Sequence, residues 1–169
     1  MVFIDETDLN TKMARLYGRA PRSQRCVAAV PHGHWQTSTF IAALRCDGVT
    51  APFLIEGAVN AEVFTAYLRQ VLCPELKKDD LVILDNLSTH KIPSVAELIA
   101  AKGATVRYLP PYSPDLNPIE MAFAKLKAQL RQAAARSLVE LQAAVATSLG
   151  TFTPAHCQAF FRHALYASI

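Results

Sequence analysis

Apolar positions along the chain follow two periods, and the change between them marks the elements. Met1–Ile4 is a continuous apolar run that stops at Asp5-Glu6, which reads as a buried strand presenting a carboxylate at its end. Cys26–Val30 and Thr37–Arg45 read as further strands, and Asp47-Gly48 is a hairpin signal. Val49–Ile55 is a fourth strand; Pro52 inside it predicts a short or edge strand, because proline cannot donate to a ladder. From Asn60 the period becomes helical: Val63, Phe64, Tyr67, Leu68 and Val71 make one stripe, which runs to Leu72. Leu81–Leu84 is an unbroken apolar run of buried-strand type, and Thr105–Leu109 is another strand. Helices are predicted over Pro93–Lys102, from Pro118 to about Ala135, over Leu138–Leu149 and over Pro154–Ala167.

Strands come first, strand and helix then alternate, and helices close the chain. That order predicts an α/β class with a mixed sheet, antiparallel at its start and parallel in its continuation, flanked by helices. The 169 residues suit a single domain, 1–169, with a substantial core. No internal repeat or linker breaks it.

The stretch Tyr108–Lys127 stands out. Pro110, Pro111 and Pro114 follow a strand and exclude regular hydrogen bonding. Asn117 is then a good N-cap and Pro118 a good first helical residue. Ile119, Phe123, Leu126 and Leu130 form the apolar stripe, Glu120 lies about a quarter-turn from it, and Lys127 and Arg131 share the face of Glu120. A rigid loop thus delivers one carboxylate to a helix start. Taken alone, Asn117-x-x-Glu120 also resembles a capping box, which would make Glu120 a purely local feature.

Other acids change the balance. Asp5 and Asp85 each end an apolar strand, and neighbouring strands would bring both to one sheet edge beside Glu120. Carboxylate oxygens are hard ligands that suit Mg²⁺ or Mn²⁺, and two such ions can stabilise both oxygens of a phosphodiester displacement. Net charge is only +3, but it is concentrated: 10–30 holds five cations and 121–139 four, with no acid in either. The cations include Arg19, Arg22 and Arg25, then Lys125, Lys127 and Arg131; the two blocks together suggest a polyanion partner, whereas either block alone reads as a solvated surface.

Three segments carry a family resemblance: Phe3-Ile-Asp-Glu-Thr7, Leu84-Asp-Asn-Leu-Ser-Thr-His-Lys91 and Leu109-Pro-Pro-Tyr-Ser-Pro-Asp-Leu-Asn-Pro-Ile-Glu120. They resemble the acidic motifs of the DDE transposases, nearest to the bacterial insertion-sequence group related to mariner, and 34 residues separate Asp85 from Glu120. The likeness extends to Tyr17-Gly-Arg-Ala-Pro-Arg22, Gly33-His-Trp35 and Phe160-Phe-Arg-His163; Ser23 stands where the family pattern has glycine. The resemblance implies a ribonuclease H-like fold, two Mg²⁺ or Mn²⁺ ions, and strand cleavage and strand transfer in cut-and-paste DNA transposition. It makes Asp5, Asp85 and Glu120 the catalytic and metal-binding triad. It also implies double-stranded DNA as partner and a homo-oligomeric active complex. Family members usually carry helix-turn-helix modules before the catalytic domain; the expectation is that these are absent here, which leaves a catalytic half with a separately encoded DNA-binding partner, a truncated remnant or an excised piece.

Asn86 and His90, close after Asp85, are supporting candidates. Against that stand structural roles: a strand-end turn for Asn86, a packed core histidine for His90. Two other readings compete with a transposase: another ribonuclease H-like nuclease, against which the proline-rich motif argues, and an inactive remnant that only binds DNA or a subunit. The scattered Cys26, Cys46, Cys73 and Cys157 form no C-x-x-C pair, so a zinc site or disulfide framework is not expected. No apolar run approaches the ~20 residues of a membrane span, and the first residues do not read as a signal peptide. The expected location is the bacterial cytoplasm, on the nucleoid.

Overall fold

The computed structural model describes residues 1–87 and 90–166. Five strands form one sheet, β1 (Val2–Asn10), β2 (Thr37–Arg45), β3 (Gly48–Glu56), β4 (Leu81–Leu84) and β5 (Thr105–Tyr108), in the order β3-β2-β1-β4-β5. β1 runs antiparallel to β2, and β2 to β3, whereas β1, β4 and β5 are parallel. Helices α1 (Ala61–Tyr67), α2 (Pro93–Ala100), α3 (Pro118–Ala133), α4 (Leu138–Leu149) and α5 (Pro154–His163) cover the faces. The mixed sheet is the one the element order predicts.

Period-two alternation divides the core into two layers. Phe3, Phe40, Ala42, Leu44 and Ile83 pack with Phe123, Leu126 and Leu130 of α3 and with residues of α4 and α5. Val2, Ile4, Ile41, Ala43, Val82 and Leu84 pack on the other face with Phe64 of α1 and Val95 and Ile99 of α2. Asp5 follows the parity of Phe3 and therefore belongs to the α3 side. Glu6 follows Ile4 and belongs to the α1 side.

Pro52 sits as expected on an edge strand. Two β3 residues, Ala51 and Pro52, oppose one on β2, since Ile41 pairs with Phe53 but Ala43 with Thr50. Ala51 takes φ 51, and its carbonyl accepts from the buried Tyr67 hydroxyl at 2.9 Å. The missing proline donor therefore falls in a bulge and costs no ladder bond.

Four expectations need correction. β1 does not end at Asp5 but runs on to Asn10, because β2 continues the antiparallel ladder as far as Asn10↔Thr37. What ends there is the pairing with β4, whose last register pair is Phe3↔Ile83. Cys26–Val30 is not a strand: Val27 and Val30 are exposed and find no sheet edge to bury against. The helix from Asn60 closes in a wider π-type turn over Leu68–Leu72. α5 stops at His163; Ala167, the expected end, lies outside the described residues, as do Ser88 and Thr89.

Residues 11–36 form a long exposed strap without helix or strand. Its ends are pinned together, the Thr11 N–H donating to the Gln36 carbonyl at 3.1 Å. The Arg136 guanidinium fastens its first turn by donating to the carbonyls of Thr11 (3.2 Å) and Met13 (2.8 Å).

Candidate active site

The sheet opens where β1 and β4 stop pairing. An open cleft of about 470 Å³ begins there, and its walls include Asp5, Asp85, Asn86, Lys91, Tyr112 and Glu120. The three acids that sequence spacing singles out thus share one cavity.

Asp5 is only 8% exposed, and its two oxygens are held. Oδ1 accepts from the Glu6 backbone N–H at 2.8 Å, and Oδ2 accepts from the Asn117 amide at 2.8 Å. Burial pushes its pKa up to about 7; the Glu6 N–H works against this, and the negative fields of Glu120, Glu6 and Asp85 add to it. Crowded carboxylates that hold one another's protons are what a divalent cation relieves.

Asp85 follows the last residue of β4. Its Oδ1 accepts from the Leu87 N–H at 3.1 Å and from His90 Nδ1 at 2.5 Å. Burial raises its pKa, but the His90 and Leu87 hydrogen bonds outweigh that and leave it below the usual carboxylate value. Asn86 lines the cleft, and its buried Oδ1 has no hydrogen-bond partner among the described residues.

Glu120 is the third residue of α3 and is exposed. The capping-box reading is not realised, because Asn117 occupies the N-cap position without making a side-chain cap bond. Its amide is spent on Asp5, so the proline loop is tied to β1 as well as to α3. The loop itself holds one 3₁₀ turn, Pro114–Leu116. At its tip Tyr112 is fully exposed at φ 54, a left-handed conformation uncommon outside glycine.

His90 is fully buried, stacked on the Phe64 ring with centroids 4.3 Å apart. It cannot reach a phosphate in the cleft. Instead its ring spans Asp85 on one side and Glu6 Oε1, at 3.0 Å, on the other. Both acceptors are carboxylates, so both nitrogens carry protons. Burial lowers the histidine's pKa, but the two acidic partners prevail and lift it to about 9. Glu6 is the residue sequence reasoning missed. The available signal was its position next to Asp5, which on a strand sends it to the opposite face.

The basic residues are divided. Arg19, Arg22 and Arg25 lie exposed on the strap. Arg131 shares a surface groove with Arg15, Leu16 and Tyr17, and Lys127 is half-buried on α3. Lys125 is committed elsewhere: its ammonium donates to the Thr151 carbonyl (3.1 Å) and His156 Nδ1 (2.8 Å) and lies 4.4 Å from the Phe152 ring centre. It is a brace between α3 and α5 rather than a free cation.

The donor set fits hard divalent ions, since Asp5, Asp85 and Glu120 offer only oxygen and no thiol or imidazole points into the cleft with them. Among the described residues no three such side chains stand together as a finished cage. Mg²⁺ accepts that situation, because it keeps several waters or substrate oxygens in its shell.

Comparison with known proteins bears on the fold and the family. A family model described as DDE superfamily endonuclease matches residues 1–142. No curated protein matches the chain. Among solved structures, the Mos1 transposase paired-end complex with left transposon end is similar at a TM-score of 0.73 and 17% identity, covering 95% of this chain and 51% of that one. The Mos1 mariner paired-end complex with Mn is similar at 0.69 and 17%, covering 95% and 51%. The catalytic domain of Mos1 mariner transposase is similar at 0.67 and 16%, covering 95% and 74%. At such identities the likeness is one of fold, the ribonuclease H-like mixed sheet expected from the motifs. The chain spans about half the length of the Mos1 chains in the two paired-end complexes. With five-sixths of its length matched by the family model, the chain belongs to the DDE superfamily endonucleases.

Proposed function

We propose that this chain is the catalytic domain, 1–169, of a DNA transposase, cleaving and rejoining phosphodiester bonds in cut-and-paste transposition. The observation that carries the reading is the convergence of Asp5, Asp85 and Glu120 on one cleft at the point where the sheet opens. Those three carboxylates would hold two Mg²⁺ or Mn²⁺ ions; a similar fold has been solved with Mn. Bound there, two ions stabilise the attacking and the leaving oxygen of an in-line displacement.

The chain's own residues position this chemistry. The Asn117 amide fixes Asp5, and the backbone N–H of Leu87 with the His90 ring fixes Asp85. The proline loop keeps Glu120 at a helix start beside them. Lys91 at the cleft wall offers a cation to a phosphate. Arg19, Arg22 and Arg25 on the strap, with Lys127 and Arg131 on α3, supply sequence-independent contacts to the duplex. Double-stranded DNA, at transposon ends and target, is the partner, in a homo-oligomer. The working location is the bacterial nucleoid.

The test is nicking of supercoiled plasmid by the purified chain. Mg²⁺ or Mn²⁺ should support it, and Asp5→Asn, Asp85→Asn and Glu120→Gln should each abolish it. Nicking that persists in excess chelator, or in Glu120→Gln, overturns the reading.

A further inference from the structure

Each of the three parallel strands β1, β4 and β5 sends His90 a partner. Glu6, just past the last β1–β4 pair, places Oε1 3.0 Å from Nε2. Asp85, after β4, places Oδ1 2.5 Å from Nδ1. Tyr108, the last residue of β5, donates its hydroxyl to the His90 carbonyl at 2.9 Å. The ring itself is fully buried against Phe64 of α1.

We propose that Glu6 and His90 are positioning residues: a carboxylate–imidazole support, built on the face of the sheet opposite the cleft, that fixes the orientation of Asp85 for metal. This rests on the reading of Asp85 as a metal ligand. The argument is geometric. A carboxylate on a strand end can rotate, and among the described residues of the turn the Leu87 N–H restrains it. The imidazole occupies the same Oδ1, and among the described residues Oδ2 has no hydrogen-bond donor, so it faces an ion. The imidazole in turn cannot rotate, because its far nitrogen is held by Glu6 and its faces are enclosed. Neither Glu6 nor His90 lines the cleft, so neither touches substrate. Partners of this kind behind a ligand typically change metal affinity about 10–100-fold when removed.

Side-chain geometry provides a graded test. The amide of asparagine can stand where Nδ1 is, and that of glutamine reaches toward Nε2. His90→Asn therefore keeps a donor for Asp85 and loses Glu6, whereas His90→Gln keeps the Glu6 link and loses Asp85. Glu6→Gln retains an acceptor for Nε2 without the charge, and at a half-buried site it is the variant most certain to fold. The experiment is titration of each metal-free purified variant with Mn²⁺, followed by electron paramagnetic resonance or calorimetry, with thermal unfolding measured alongside. Expected are a loss of Mn²⁺ affinity of about tenfold or more in His90→Gln, a smaller loss in His90→Asn, and a measurable loss in Glu6→Gln with its fold intact.

Wild-type affinity in Glu6→Gln or in His90→Gln overturns the proposal. So does equal affinity in His90→Asn and His90→Gln, since that shows only ring packing matters. A wild-type protein that binds no Mn²⁺ overturns instead the metal reading of the cleft, and this inference with it.

Discussion

Asn117, at the cap position of α3, gives its side-chain amide to Asp5 of β1 at 2.8 Å, across 112 residues of sequence. The bond trades a helix cap for a tie between two of the three acid-bearing segments. Asn117→Ala removes the one donor that Asp5 Oδ2 has among the described residues and should cost about 1–3 kcal/mol, the usual penalty for a buried acceptor left unpaired. Asn117→Ser, a residue that caps helices well, should lose nearly as much. Urea unfolding of both variants separates the tie from capping; a neutral Asn117→Ser would identify capping as the role.

Stability should fall as pH rises through the range where Asp5 ionises. Its folded pKa of about 7 lies above the ordinary 3.8, so the native state binds the proton more tightly than the unfolded chain does. The linked stability is complete below about pH 4 and is lost as pH climbs through 7. His90 continues the trend: its folded pKa of about 9 exceeds 6.5, so its contribution is present below 6.5 and lost through 9. Without divalent metal, the unfolding free energy should decline between pH 5 and 9. Asp5→Asn should flatten the lower part of that decline, and a profile unchanged by the substitution would contradict the assignment.

The opposite sign holds at the other end of the sheet. Arg45 and Asp80 form a bidentate pair at 2.9 and 2.6 Å, and Asp80 also accepts the Lys77 N–H at 2.8 Å. The Arg45 hydrogen bonds hold the Asp80 pKa below normal against the pull of burial. Its contribution is therefore present above about pH 4 and lost in acid. Asp80→Asn leaves Arg45 uncompensated and should cost about 3 kcal/mol, while Mn²⁺ affinity stays unchanged. Parallel unfolding and metal titration check both halves of this statement.

Two residues outside glycine's usual company mark places to gain stability. Ser23, where the family pattern has glycine, takes φ 66, and Ala134, closing α3, takes φ 53. Both Ser23→Gly and Ala134→Gly should stabilise the fold, the second by roughly 0.5–1 kcal/mol, since a helix end in the left-handed region favours glycine. Differential scanning calorimetry gives the answer, and a lower Tm for Ala134→Gly would refute it.

Duplex DNA should bind this chain weakly, with little sequence preference and a steep fall between about 50 and 200 mM salt. Replacing Arg19, Arg22 and Arg25 with glutamine should reduce the slope of log affinity against log salt by up to roughly 0.9 per lost phosphate contact. Lys125→Gln should leave the slope unchanged, because its ammonium is held by Thr151 and His156. Fluorescence anisotropy at two salt concentrations distinguishes these cases.

Local patterns were a good guide wherever one element decides its own fate. β2, β4, β5, α4 and the start of α3 fall where periodicity and proline put them. The acids at 5, 85 and 120 meet as the strand order and the family resemblance imply. What escaped depends on partners distant in sequence. The length of β1 is set by β2, Cys26–Val30 fails for want of a neighbour, and Asn117 serves Asp5 rather than its own helix. Glu6 and His90 are 84 residues apart; no local window contains both, and only the opposite faces of a strand explain why Asp5 and Glu6 part company.

The uneven lengths of β1 and β4 have a mechanical meaning. β1 is laced to β2 through eight register pairs, Phe3 to Asn10, but to β4 through only two, Val2↔Val82 and Phe3↔Ile83. Asp5 thus rides on a stiff antiparallel plate and Asp85 on a short parallel one, with a narrow seam between them. Two backbone pairs across that seam, and the imidazole that joins Asp85 to Glu6 of β1, link the strands that carry the two carboxylates. A cation or a phosphate entering the cleft works on that seam, so ligand binding should be felt first as altered amide exchange at Val82 and Ile83, and hardly at all along β2.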